Sequence, residues 1–147
     1  MITDVRVPAE HQQPYSTAYE QMLEKVRYEG AYPTLGKADE AVRLALAGLG
    51  RQLTGDERVD LAGCLPLEAA RVLTLQIPDP HPLTGWAFVK DLAARTGASL
   101  ATTRWDTGSV FSVVSAHAGP DLITRILDQL PAGYALLFGR AELTQAA

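Results

Sequence analysis

The chain has 147 residues, of which 20% are charged and 47% hydrophobic, and this is the size and composition of one globular domain. Its net charge of −4 argues against a nucleic-acid-binding surface, because such surfaces carry a basic excess or a basic stripe. The single cysteine, Cys64, excludes an internal disulfide and a zinc site with two or more thiolate ligands. No apolar stretch is long enough to span a membrane, and residues 1–6 lack an apolar signal core, so we expect a cytoplasmic protein with no membrane partner.

Apolar residues at helical spacing predict four helices in the first half of the chain, after a polar lead-in over residues 1–14. Two of the helices begin with a capping box, Thr17 with Glu20 and Thr54 with Glu57. The predicted helices cover residues 17–30, residues 37–53, residues 54–65 and a short segment that begins at Pro66.

A proline-rich segment separates these helices from four more. Alternate prolines within residues 76–83 predict an extended linker, because each proline disfavours helix in the residue before it. The later helices are predicted around Trp86 as far as Gly97, from about Thr103 to Ala118, from Gly119-Pro120 to Leu130, and from Pro131 through Phe138.

The two halves repeat the same apolar pattern. A shift from residue 22 to residue 88 places Met22-Leu23 on Phe88-Val89, and a nearly equal shift places Leu65-Pro66 on Leu130-Pro131. We therefore predict an all-α fold in which two tandem four-helix repeats pack as one domain with approximate two-fold symmetry. The predicted parts are repeat one (15–76), a linker (77–82), repeat two (83–140) and a C-terminal tail (141–147).

The motifs of the first repeat carry a family resemblance. They are an aromatic at Tyr19 followed by Val26-Arg27, the run Leu49-Gly-Arg-Gln-Leu53, and the closing Asp60-Leu-Ala followed by Leu65-Pro66. In these motifs the chain resembles the bacterial family known as domain of unknown function 2267. The resemblance covers most of residues 15–140 and is weaker in the second half. It implies a helical fold and no particular activity.

No arrangement of residues predicts a catalytic, metal or cofactor site. The histidines His11, His81 and His117 are scattered, and none is preceded by a glutamate at the spacing of a di-iron bundle. Cys64 is interpreted as a small buried hydrophobe, because it falls at the C-terminal end of a helix, where the dipole disfavours a thiolate. We therefore expect a protein that is not an enzyme and needs no cofactor.

Residues 107–120 contain no formally charged side chain. A helix of this kind is buried on several sides, or it meets another chain, and the sequence leaves both interpretations open. Gly108, Ser112 and Ser115 give it a narrow face of small residues. The candidate interface residues are Trp105, Ser112, Phe111, Ser115 and Trp86, although core or staple packing is the favoured interpretation for the two tryptophans.

Two hypotheses for the function follow from these observations. The first is a non-enzymatic interaction module that binds a protein partner or forms a homodimer through the uncharged helix. The alternative is a small-molecule sensor or carrier with an apolar pocket between the two repeats.

Overall fold

A computed structural model describes residues 15–141 of the chain. The lead-in over residues 1–14, which contains His11, and the tail after residue 141 lie outside the described residues. Within them the fold is all-α with no strand, as predicted. The helices are α1 (Thr17–Gly30), α2 (Leu35–Gly50), α3 (Gly55–Cys64), α4 (Leu67–Thr74), α5 (Gly85–Thr96), α6 (Leu100–Ala118), α7 (Pro120–Gln129) and α8 (Tyr134–Leu137).

Side-chain caps fix where several helices begin. Ser16, not the predicted Thr17, is the N-cap of α1, and its hydroxyl accepts a hydrogen bond from the backbone N–H of Tyr19 at 3.2 Å. The helix α6 begins three residues before the predicted Thr103, because Ser99 caps it by accepting from Thr102.

The helix α2 runs over residues 35–50 and not over the predicted 37–53. Thr34 caps its start by accepting from the N–H of Lys37 at 3.1 Å. At its other end the chain leaves the helix. The guanidinium of Arg58 donates hydrogen bonds to backbone carbonyls near this end that have no partner within a helix. Arg58 donates to the backbone oxygens of Gly50, Leu53, Leu73, Thr74 and Gln76.

The start of α3 is capped from α7, which is distant in sequence. Thr54 is the N-cap, but its side chain makes no capping bond, so the predicted capping box does not form. The side-chain oxygen of Gln129 instead accepts from the N–H of Thr54 at 2.7 Å, and its NH₂ group donates to Glu57 at 2.8 Å. Beside this contact Arg125 donates to Asp60 at 2.7 Å. The helices α3 and α7 are thus joined by polar contacts.

The last short helix begins at Tyr134 and not at the predicted Pro131. Gly133, at φ 101°, directs the chain into it. The N–H of Gly85 donates to the carbonyl of Ala132 at 2.8 Å, so the start of α5 packs directly on this turn. A side chain at position 85 would collide with the backbone of Gly133.

The helix α6 lies at the centre of the fold, where it packs against α1, α2, α5, α7 and α8. Its buried hydroxyls remain satisfied: Thr103, Thr107 and Ser109 each donate to the carbonyl one turn earlier. Polar side chains can therefore line a core helix that carries no charge after Asp106. For most of its surface the uncharged segment belongs to the interior of the chain.

The two halves show helices in the same order, with the longest in second place and the shortest last. Between α4 and α5 the chain contains no helix, as the alternate prolines predicted. The internal duplication and its two-fold symmetry stay predictions.

Candidate functional site

One face of α6 is turned away from the core. Gly108 and Ser112 are half-buried and Ala116 is exposed, although Val110, Phe111 and Val114 on the same helix are fully buried. The three outward positions are four residues apart, which places them on one line along the helix. The outer face of α6 is therefore narrow, uncharged and built from small side chains.

This outer face forms a groove with α1. A cleft of about 530 Å³ and a second of about 400 Å³ share Glu29 and Ser112, so the two clefts adjoin in a depression between the two helices. We call this depression the α1–α6 groove. Its α1 wall consists of Glu24, Lys25, Tyr28 and Glu29, and its α6 wall includes Arg104, Trp105, Gly108, Ser112 and Ala116.

Trp105 sits at one end of the α1–α6 groove in a fixed position. Its indole N–H donates to the carbonyl of Gly30 at 2.9 Å, which satisfies one of the free carbonyls at the end of α1. The side chain is nevertheless 57% exposed. An aromatic ring that is held on one edge and open on its face loses little entropy when it packs against a partner.

A second contact ties the end of α1 to α6 beside this tryptophan. The hydroxyl of Tyr32 donates to the carboxylate of Asp106 at 2.6 Å. Burial and this hydrogen bond raise the pKa of Tyr32, so the phenol keeps its proton. Together with the Trp105 contact, this bond fixes the width of the groove at its Trp105 end.

The groove carries two opposite charges that do not pair with each other. Arg104 and Glu29 line the same cleft, yet neither forms an ion pair within residues 15–141. Glu29 accepts only a hydrogen bond from the hydroxyl of Ser112 at 3.3 Å. Tyr28, which is 84% exposed, stands on the same wall as Glu29. The groove is thus uncharged on α6 from Gly108 to Ala116 and charged where Arg104 and Glu29 line it.

The structure separates the five candidate interface residues. Trp105 and Ser112 lie on the groove. Phe111 is fully buried and stacks on Phe138 with the ring centres 4.3 Å apart, so it belongs to the core and not to a surface. Ser115 faces inward, because its hydroxyl donates to the carbonyls of Phe111 and Phe138. Trp86 is 62% and Trp105 57% exposed, which makes the favoured core interpretation wrong for both tryptophans.

Trp86 lies outside the α1–α6 groove, on a smaller cleft of about 170 Å³ formed with Val89, Arg104 and Leu136. The buried position next to it belongs to Gly85, whose contact with Gly133 leaves no room for a side chain. The core interpretation placed Trp86 at the helix position of the buried Tyr19, but the shift that places Met22 on Phe88 places Tyr19 on Gly85.

A separate cleft of about 300 Å³ contains Cys64 and His117 and meets the α1–α6 groove at Lys25. The Nε2 atom of His117 is buried and has no hydrogen-bond partner among residues 15–141. Burial, with the nearby charge of Lys25, lowers the pKa of this histidine, so the ring is neutral at neutral pH. Cys64 is half-buried, which agrees in part with its interpretation as a small core residue.

The residues that line the groove lie within a segment that matches a known protein family. A family model described as an uncharacterized conserved protein, DUF2267, matches residues 19–137. The chain belongs to the DUF2267 family. The matched region of this DUF2267 chain includes both walls of the groove and all of α2 through α8. No curated protein matches the chain.

One further finding concerns the helices of this DUF2267 chain. Across residues 15–141, none of its helices combines the length and the apolar character needed to cross a membrane.

Sequence reasoning missed Tyr28, Glu29 and Arg104 of the groove. Each is a common surface residue type, and only the packing of α1 beside α6 brings them together.

Proposed function

We propose that this DUF2267 chain is a non-enzymatic protein–protein interaction module that binds a helix in the α1–α6 groove. The observation that carries the proposal is the exposed, hydrogen-bonded Trp105 at the end of an uncharged wall of small residues. Tryptophan is enriched among the residues that dominate binding energy at interfaces. Here the ring of Trp105 is held in place by its hydrogen bond and is largely exposed to solvent.

A helix is the occupant that fits the shape and chemistry of this groove. Two antiparallel helices form its walls, since Lys25 in the second half of α1 lines a cleft with His117 near the end of α6, whereas Gly30 at the end of α1 contacts Trp105 in the first half of α6. Helix-in-groove recognition uses an apolar stripe on the ligand and a long shallow depression on the receptor. Small side chains on the α6 wall allow such a ligand to approach closely.

The charges at the rim define the polar side of the ligand. Arg104 at one end would meet an acidic side chain, and Glu29 would meet a basic one. Rim charges of this kind set the orientation and the rate of association more than the affinity.

The alternative, a small-molecule carrier with a pocket between the halves of the chain, has less support. Where α2 meets α5, Gly48 lies so close to Phe88 and Leu92 that an added Cβ would stand 3.0 Å from both. A carrier would need an empty apolar volume at this junction, and these side chains occupy it.

The residues of the groove also favour binding over catalysis. Its described lining contains no cysteine and no histidine, and the Ser112 hydroxyl has only a carboxylate beside it. A serine nucleophile needs a neighbouring general base and a group that orients the base.

Site-specific photo-crosslinking in cells of the natural host tests this proposal. A photoreactive amino acid replaces Ala116 in the groove, and in a matched control it replaces Lys90, which is exposed on α5. We expect a discrete adduct at position 116 that is absent at position 90. Mass spectrometry should place the crosslink on a helical segment of one protein.

The identified partner must then bind the purified chain. Gly108→Leu fills the groove without touching the core, because a Cβ at this position meets open space. We expect this variant to lose the partner and to keep its helical circular dichroism. Equal adducts at positions 116 and 90, or undiminished binding by Gly108→Leu, would refute the groove as the binding site.

A further inference from the structure

We infer that the helix bound in the α1–α6 groove is α6 of a second copy of this chain, so that the module forms a two-fold homodimer. This inference rests on the proposed function and names its partner. It is carried by the position of two unpaired charges relative to Gly108. The charges are those of Arg104 and Glu29, which can pair between two copies although they do not pair within one chain.

Gly108 marks the point of closest approach. It lies inside the 19-residue helix α6, where glycine costs about 1 kcal/mol relative to alanine. Its backbone is helical, and an added Cβ would meet no atom of the chain within 4 Å. By contrast, Gly48 and Gly85 are required because side chains or backbone press against them. A second helix that crosses at Gly108 would press against this position in the same way and would require a glycine there.

A two-fold axis at Gly108 pairs the two charges. Arg104 lies four residues before Gly108 and Ser112 four residues after it, each about 6 Å along the helix. When two copies of α6 cross in opposite directions at Gly108, Arg104 of one copy faces Ser112 of the other. Ser112 is hydrogen-bonded to Glu29, so Arg104 faces Glu29 of the second copy as well.

The two-fold symmetry produces the contact between Arg104 and Glu29 twice. In an isologous dimer every pairing between one copy and the other occurs in both directions, so the interface contains two Arg104–Glu29 pairs. The same crossing brings each exposed Trp105 onto the outer face of the opposite α6. The surface is therefore complementary to itself in charge and in shape, which is the property that a homodimer requires.

Sedimentation equilibrium on the purified chain over a concentration series tests the inference. We expect a reversible dimer. Arg104→Glu replaces two attractive contacts by two repulsive ones and should weaken the dimer roughly tenfold or more. Glu29→Arg should do the same. Matched reversals outside the groove, Arg71→Glu and Asp128→Arg, should leave the dimer constant within about twofold.

Mixing the two weakened variants provides the decisive result. A copy with Arg104→Glu and a copy with Glu29→Arg restore both opposite-charge contacts with each other, although neither does so with itself. We expect an equimolar mixture to form heterodimers with nearly the affinity of the unaltered chain. Raising the salt concentration should weaken this rescue, because exposed charges are screened.

The glycine provides an independent measurement. Gly108→Leu should abolish the dimer, whereas Gly63→Leu should not, although both are helical glycines with open space at the Cβ position. Circular dichroism and urea unfolding confirm that each variant is folded.

A chain that stays monomeric at every concentration, or a mixture that does not rescue, would overturn the homodimer. The proposed function fails separately, since a monomer whose position 116 still crosslinks to the helix of another protein remains an interaction module. Dimers that survive Gly108→Leu would place self-association on a different surface.

Discussion

Arg58 is a cation that is neutralised by backbone carbonyls and not by a carboxylate. Within residues 15–141 it forms no ion pair, and its guanidinium faces the ends of α2 and α4, where the helix dipoles are negative. Partial burial lowers its pKa, but an arginine stays charged at any pH the fold can survive. One side chain thereby satisfies carbonyls that would otherwise need water or several caps.

Replacing this arginine should be costly. Arg58→Met keeps most of the side-chain length and removes every donor, which leaves several carbonyls at the end of α2 without a partner. We expect the free energy of unfolding to fall by about 3 kcal/mol, measured by urea denaturation. Arg71→Met is the matched control, because the side chain of Arg71 is exposed and makes no hydrogen bond or ion pair with the described residues; its loss should cost under about 0.5 kcal/mol. Similar losses for the two variants would contradict the role of Arg58.

The sequence contains no local signal for this role. The acceptors of Arg58 lie between 5 and 18 residues away, within residues 50–53 and residues 73–76, and periodicity describes only neighbours within one helix. Trp105 is a similar case, because its acceptor Gly30 is 75 residues distant. Residues whose partners are remote were identified by type at most, and their contacts became visible only in the folded chain.

At the scale of helices, apolar spacing predicted which segments are helical but not how each helix is rotated. All eight predicted helices are present in the described part of the chain. For α6 the sequence predicted a small-residue face through Gly108, Ser112 and Ser115. The fold turned Ser115 inward, where Phe138 offers a carbonyl at 3.3 Å, and left Ala116 outside. A rotation of one residue therefore decides which side chains belong to the groove.

The contact between α3 and α7 gives a prediction for a pair of helices. Gln129→Ala removes the acceptor for the N–H of Thr54 and the donor to Glu57, so α3 loses its cap. We expect the free energy of unfolding to fall by about 1 kcal/mol, the usual loss for an N-cap. Asp128→Ala, one residue away and exposed, should change it by less than half as much. Equal effects would mean that solvent caps α3 equally well.

For the molecule as a whole, stability depends on the aromatic cluster under α6. Phe111 stacks on Phe138 and lies 6.0 Å from Phe88, which in turn meets Tyr134 edge-on. Phe111→Ala should lower the free energy of unfolding by about 3–5 kcal/mol, the range for truncating a large buried aromatic. Trp86→Ala, at an exposed position, should cost under about 1 kcal/mol. A stable Phe111→Ala monomer would show that the cluster can close around the lost ring.

The sequence predicted the class of the whole fold and part of its candidate site. Trp105 and Ser112 were among the candidate interface residues and lie on the groove. Phe111 was also chosen, because an uncharged helix gives no charged residue to mark its outer side. Tyr28 and Glu29 could not be chosen, since their relevance depends on α1 packing beside a helix from the other half.

That packing of α1 on α6 has a consequence for how the protein is made. During synthesis the chain emerges from its N-terminal end, and α1 is complete long before Leu100 leaves the ribosome. Until then part of its apolar face has nothing to cover it, although α2 is already available as a neighbour. The nascent chain therefore exposes part of the apolar face of α1 until α6 has been translated.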